Sequence, residues 1–156
     1  LSGVTAFDAD VLIYAAVHGH PLGARIFALF AGTDVETVGI GSVLLLAEVL
    51  TKPMCHDPDS DETAALVSLL SRLDLHPLDE TAARLALALA VTHGLRAADA
   101  AHLATAVAAG ADRFLTNNRR DFPQTITEIA IVYPDDLPAA ASAPAQASGE
   151  TQPPMR

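Results

Sequence analysis

Cysteine is almost absent from this chain: Cys55 is the only one in 156 residues. One thiol cannot close an internal disulfide or supply a cysteine-rich zinc site, so it reads as an ordinary loop thiol beside His56. Tryptophan is missing and aromatics make up 4% of residues. The core must therefore come from Ala, Leu and Val, a composition that suits closely packed helices. Bases are scarce as well. Nine Lys and Arg face nineteen Asp and Glu, and the formal charge of −10 is a poor footprint for binding DNA alone. It leaves room for a nucleic acid held locally by a metal and a few arginines. Long hydrophobic runs are lacking too: the longest, Val43 to Leu50, contains Glu48 and is far short of the ~20 residues that span a bilayer. No basic start leads into an apolar run, so the expectation is a cytoplasmic protein with no membrane partner.

What is present is an alternation of short apolar strands and helices, in a chain long enough for one domain with a real core. "VTAFD" reads as a buried strand and "DVLIYAAV" turns helical. "HPLGARIFALFAG" is a helix ended by Gly32. "ETVGIG" is a strand closing at Ser42, which is placed to cap the helix "VLLLAEVLTK". Pro53 is expected to stop that helix, leaving "PMCHDPDSD" as a loop. Ser60 opens "DETAALVSLLSRL", with acids in its first turn as the helix dipole prefers. "LHPL" is a strand that Pro77 confines to an edge or an end. Asp79 or Thr81 opens "AARLALALAVTH", closed by Gly94, and "ADAAHLATAVAAG" is closed by Gly110. "DRFLT" is a strand, "NNRRDFP" a loop and "EIAIVY" a final strand. This alternation predicts an α/β fold over residues 1–138, with a central, mainly parallel sheet flanked by helices on both faces in three layers. The Ala/Pro/Ser-rich stretch 139–156 has no periodicity and reads as a disordered tail.

Four acids fall where solvated acids are not expected. Asp8 ends the first strand, Glu48 lies inside "VLLLAEVL", Asp99 opens a helix among alanines, and Asp121 follows the strand "DRFLT". In an open parallel α/β sheet, ligands bind outside the carboxyl ends of the strands. Asp8 and the loop Asn117 to Asp121 belong there, and helix N-terminal turns can bring Glu48 and Asp99. Taken singly, each has an ordinary reading: a cap for Asp99, a snorkelling or salt-bridged acid for Glu48. Taken together they outnumber the bases available to pair them. A divalent cation such as Mg²⁺ or Mn²⁺, which prefers oxygen ligands, neutralises such a cluster best.

"VTAFDADVLIY", "GSVLLLAEVL", "GLRAADAAHLATAVAAGADRFLTNNRRDF" and "IAIVY", in this order and spacing, resemble the PIN-domain ribonucleases, and most nearly their VapC-like toxin branch. The resemblance runs from about Val4 to Pro134. It implies a Mg²⁺- or Mn²⁺-dependent endoribonuclease, the toxin of a toxin–antitoxin pair, with RNA as substrate, a small antitoxin protein as partner and a homodimer as the assembly. The family's first acid matches Asp8, its helix glutamate Glu48 and its third acid Asp99. The fourth position falls on Asn118, an amide, with Asp121 near enough to substitute. Asp10 stands where Asn or Ser is common and adds a charge at the rim. On this resemblance Asp8, Glu48, Asp99 and Asp121 are the catalytic acids, with Asp8, Asp99 and Glu48 holding the metal. Thr116, Asn117, Asn118 and Asp121 could serve a second ion or the substrate. Without a fourth carboxylate at Asn118, one ion is expected to bind tightly and a second weakly. Arg119 and Arg120 could contact the RNA backbone. His102, one turn beyond Asp99, is expected to pack or to support a ligand rather than be one.

Two other readings remain at this stage. "FDADVLI" is also similar to the haloacid-dehalogenase-like phosphohydrolases, with Asp8 as nucleophile and Asp10 as acid/base. Its only lysine, Lys52, precedes Pro53 in an apparent loop, a weak placement for steadying a phosphorylated intermediate. The amide at Asn118 would alternatively suit a PIN fold that has lost catalysis and acts as a binding module.

Overall fold

The computed structural model describes residues 2–140. The tail read from Ala139 onward lies, from residue 141, outside the described residues. Five strands, β1 (Thr5–Phe7), β2 (Gly39–Ser42), β3 (Leu73–His76), β4 (Arg113–Leu115) and β5 (Ala130–Val132), form one sheet in the order β3-β2-β1-β4-β5. Every neighbouring pair is parallel. Six helices connect and cover it: α1 (Ala9–Ala16), α2 (Pro21–Ala31), α3 (Leu44–His56), α4 (Asp61–Ser71), α5 (Glu80–His93) and α6 (Ala97–Ala108).

The period-2 alternation of the strands splits the core into two layers. Ala6, Ile40, Phe114 and Ile131 point to one face and pack with Leu89, Leu103 and Ala104 of α5 and α6. Phe7 and Leu115 point to the other and pack with Leu12, Ile26, Leu45 and Leu66 of α1 to α4. Both faces are covered, which is why the strands read as apolar runs rather than as half-polar ones. β3 sits at an edge and ends just before Pro77, whose missing N–H would break an interior ladder.

Capping residues hold most helix ends where the sequence places them. Ser60 accepts from the Thr63 N–H, Asp79 from the Ala82 N–H, and Gly94 closes α5 in the left-handed region at φ 66°. Two expectations at α3 are corrected. Pro53 does not stop the helix, which runs on to His56 and so contains Cys55, exposed in its last turn rather than in a loop. Proline forfeits its own N–H and crowds the carbonyl one turn back, yet the chain beyond it bonds back, with Asp57 N–H donating to Pro53 O at 2.8 Å. Packing of Leu45 and Val49 against neighbouring helices outweighs that local cost. Ser42 is the last residue of β2 rather than the formal cap, yet its Oγ still accepts from the Leu44 N–H at 3.2 Å.

Gly23 sets how closely α1 and α2 approach. A Cβ there would be driven into the backbone carbonyl of Tyr14, whose ring stacks on His20 at a centroid distance of 4.7 Å. Backbone cannot yield as a side-chain tip can. Gly23→Ala is therefore expected to lower stability by about 2 kcal/mol or more, read as a drop in melting temperature; an unchanged melting point would mean that the two helices can separate at little cost.

Candidate functional site

The order of the sheet reverses at β1: the chain runs outward through β2 and β3, then returns to β4 on β1's other side. The crevice beyond the carboxyl ends of β1 and β4 is thus the switch point of the sheet. Phe7 and Leu115 are register partners, so the residues that follow them, Asp8 and Thr116, come out side by side. The Asp8 N–H donates to Leu115 O at 3.0 Å, continuing the ladder by one bond.

Asp8 is 6% exposed. It caps α1, accepting from the Ala9 N–H at 2.8 Å, and takes a second bond from the Thr116 hydroxyl at 2.7 Å. Thr116 is fully buried, and its Oγ1 also accepts from the Asn118 N–H. Its hydroxyl donates to Asp8, and the side chain has no exposed surface. Asp10, two residues on, accepts from the Asn117 N–H at 3.0 Å through Oδ2, while its buried Oδ1 has no hydrogen-bond partner. Sequence reading underrated this residue as a rim charge. The available signal was a second acid in the first turn of a helix whose opposite face is apolar.

Asp99, in the first turn of α6, is half-buried. Asp121 is half-buried in the loop after β4, where its Oδ2 accepts from Asn118 Nδ2 at 2.9 Å and its N–H donates to Asn118 Oδ1 at 3.3 Å. Asn118 thus braces Asp121 within a tight turn. Glu48 reaches the site from α3 and accepts from Nε2 of the buried His102.

The acids feel one another. Burial pushes the Asp8 carboxyl above its ordinary range against the pull of the Thr116 hydrogen bond, with Glu48 adding repulsion. Burial and then the Asp8 charge push Asp10 up to about 7. Asp99 is raised by burial first, then by Asp8, Asp121 and Glu48. Among the described residues no Lys or Arg forms an ion pair with Asp8, Asp10, Glu48, Asp99 or Asp121. Most arginines are used elsewhere: Arg72 and Arg25 clamp loop carbonyls, Arg84 pairs with Glu80, and Arg113 ties down the first residues. Arg119 pairs with Asp135 and lies over the Tyr133 ring. Arg120 is exposed, and neither an ion pair nor a hydrogen bond engages its side chain among the described residues.

This donor set suits a hard divalent cation: oxygen ligands, uncompensated like charge and an unpartnered buried oxygen on Asp10. Among the described residues no three His, Cys, Asp or Glu side chains converge closely enough to cage an ion. Lys52 makes no hydrogen bond or ion pair with Asp8 among the described residues, so the lysine-assisted phosphohydrolase reading gains no support.

No curated protein matches the chain. Two solved structures share its fold. One is a toxin–antitoxin complex from Klebsiella pneumoniae, at a TM-score of 0.64 and 20% identity, covering 84% of this chain and 97% of that one. The other is VapBC2 from Rickettsia felis bound to a DNA fragment from their promoter, also at 0.64, with 17% identity and coverage of 83% and 98%. At these identities the likeness is one of fold. The PIN domain family matches residues 6–126, a span that runs from β1 through Asp8, Glu48 and Asp99 to the loop after β4. The chain belongs to the PIN domain family.

Proposed function

We propose that this protein is a Mg²⁺- or Mn²⁺-dependent endoribonuclease, the toxin of a toxin–antitoxin pair, that hydrolyses RNA phosphodiester bonds. The observation that carries the reading is the set of base-free carboxylates gathered at the switch point of a PIN-family sheet. A cation held by Asp8 and Asp99, with Glu48 beside them, would polarise a phosphodiester oxygen and acidify a bound water. The chain's own residues do the rest. Thr116 and the Ala9 N–H fix both oxygens of Asp8, so it presents its charge in one orientation. Glu48 has one oxygen bonded to His102, leaving Oε1 to take a proton from the attacking water. Asp121, braced by Asn118, is the carboxylate available for a weaker second ion. A binding module without catalysis has less support, because the acids at Asp8, Glu48 and Asp99 are all retained.

A small antitoxin protein is the proposed partner, on the strength of the toxin–antitoxin complexes that share the fold, and a homodimer the proposed assembly. No helix among the described residues is long and apolar enough to cross a membrane. Cleavage of a single-stranded or loop RNA by the purified protein should require Mg²⁺ or Mn²⁺, stop with chelator and return with excess Mn²⁺. Cleavage that persists in chelator removes the metal-dependent reading, and cleavage of generic phosphomonoesters but not RNA restores the phosphohydrolase.

The two neighbouring arginines should differ. Arg120 is free to meet a phosphate, whereas Arg119 would first have to leave Asp135 and Tyr133. Arg120→Ala is expected to weaken RNA binding and reduce the slope of log affinity against log salt by about 0.7, as for one lost single-strand phosphate contact. Arg119→Ala should change that slope little. The reverse order would show that substrate displaces the Arg119–Asp135 pair.

A further inference from the structure

His102 has a placement that core packing does not require. Its side chain is 1% exposed and Nδ1 meets no hydrogen-bonding group. Leucine or methionine would fill such a position without burying two ring nitrogens. The ring's one hydrogen bond runs from Nε2 to Glu48 Oε2, across 54 residues of sequence and from α6 to α3. Among the described residues this is also the only hydrogen bond that the Glu48 side chain makes.

Glu48 needs such a partner. Its side chain is 42% exposed, so it has access to water, and the like charges of Asp8 and Asp99 repel it from the site. Lys52, exposed one turn further along α3, is spaced to offer it an ion pair on the helix surface. Left alone, the carboxylate would turn outward. We infer that His102 is a positioning residue, whose Nε2–H holds the Glu48 carboxylate at the Asp8–Asp99 cluster against that repulsion. The inference rests on the proposed metal-dependent reading of the same site and adds to it the residue that keeps the third acid in place. Asp99 and His102 lie one turn apart on α6, so a single helix supplies one acid directly and aims another.

Mn²⁺ binding to the full, RNA-free chain, measured by calorimetry, tests this without reference to catalysis. His102→Leu should weaken binding by about 10- to 100-fold, the usual effect of removing a group that orients a ligand. His102→Gln, whose amide N–H reaches a similar point, should recover most of it. Glu48→Ala should weaken binding to a similar degree, and His102→Leu should add nothing in that background. A second readout does not depend on any His102 variant folding: the Nε2–H proton resonance of His102 should shift or exchange away on Glu48→Ala. Unchanged Mn²⁺ affinity in His102→Leu, an equal loss in the Glu48→Ala background, no recovery with Gln, or an unmoved resonance overturns the inference. Wild-type protein that takes up no Mn²⁺ removes the nuclease reading along with it, whereas binding lost only in Asp8→Asn leaves that reading standing and rejects the role of His102.

Discussion

Asp8→Asn should abolish RNA cleavage while leaving the protein folded. The substitution keeps the volume of the side chain and an oxygen to accept the Ala9 N–H, so α1 remains capped. What it removes is the charge on an acid that, alone among the described residues, is buried, doubly hydrogen-bonded and set at the junction of β1 and β4. Loss of at least about a thousandfold in rate is expected, roughly 4 kcal/mol in the barrier, together with loss of Mn²⁺ binding. The melting temperature should hold or rise, because a carboxylate that burial and Glu48 already disfavour has gone. Cleavage at the wild-type rate would move the metal elsewhere. A collapsed melting transition would instead mean that Thr116 cannot reorient its hydroxyl to suit an amide.

Metal-free protein should become less stable as pH rises from 4 to 8. Asp10 has its folded pKa raised to about 7 from an ordinary 3.8. For a carboxyl raised by folding, there is no penalty while both states are protonated. The penalty grows once the unfolded chain ionises and is complete when pH passes the folded value. Asp8 and Asp99 are shifted in the same direction and add to the trend. The groups bearing on Asp10 are Asp8 on its own approach to α1, Asp99 on α6, and the Asn117 N–H from the loop after β4, which partly offsets them. Asp10→Asn should therefore stabilise the metal-free protein at pH 8 by about 2–4 kcal/mol and leave it almost unchanged at pH 4. Mn²⁺ added at pH 8 should raise the melting point of the wild type more than that of Asp8→Asn. Glu128 works in the opposite sense, since its hydrogen bond with His93 lowers its pKa. It is exposed, so its loss on acidification is small. A melting temperature that is flat or rising between pH 5 and 8 would show that the acids are better solvated than their burial implies.

Local chemistry made the architecture legible in the sequence. A strand that will be buried on both faces must be apolar throughout, and "VTAFD", "DRFLT" and "IAIVY" are. Ser60, Asp79 and Gly94 satisfy helix ends with their own atoms or backbone freedom, so they mark boundaries whatever the rest of the chain does. Pro77 lacks an N–H and cannot extend a ladder on both sides, so β3 stops before it, at the edge of the sheet. The acids Asp8, Asp99 and Asp121 were legible for a related reason: carboxylates next to apolar runs and without bases nearby are costly, and their positions at strand ends and helix starts follow from the same local boundaries.

Only the tertiary structure decided which of those groups meet. Thr116 and Asp8 are 108 residues apart, and their contact exists because β4 returns to lie beside β1 in register; no local preference encodes that pairing. The same return buries Thr116 completely and directs its hydroxyl to Asp8. It also brings the loop after β4 to Asp10, where the Asn117 N–H offsets only part of the rise that burial and the Asp8 charge impose on a carboxylate that sequence alone would leave at a solvated rim. Arg119 and Arg120 are indistinguishable in sequence and both exposed, but one pairs with Asp135 and lies over Tyr133 while the other has no side-chain hydrogen bond or ion pair among the described residues. Pro53 stays helical because the packing of α3 outweighs one missing backbone bond. Propensity and pattern record what each segment gains by itself; charge, burial and reach at the site depend on which segments the sheet order sets side by side.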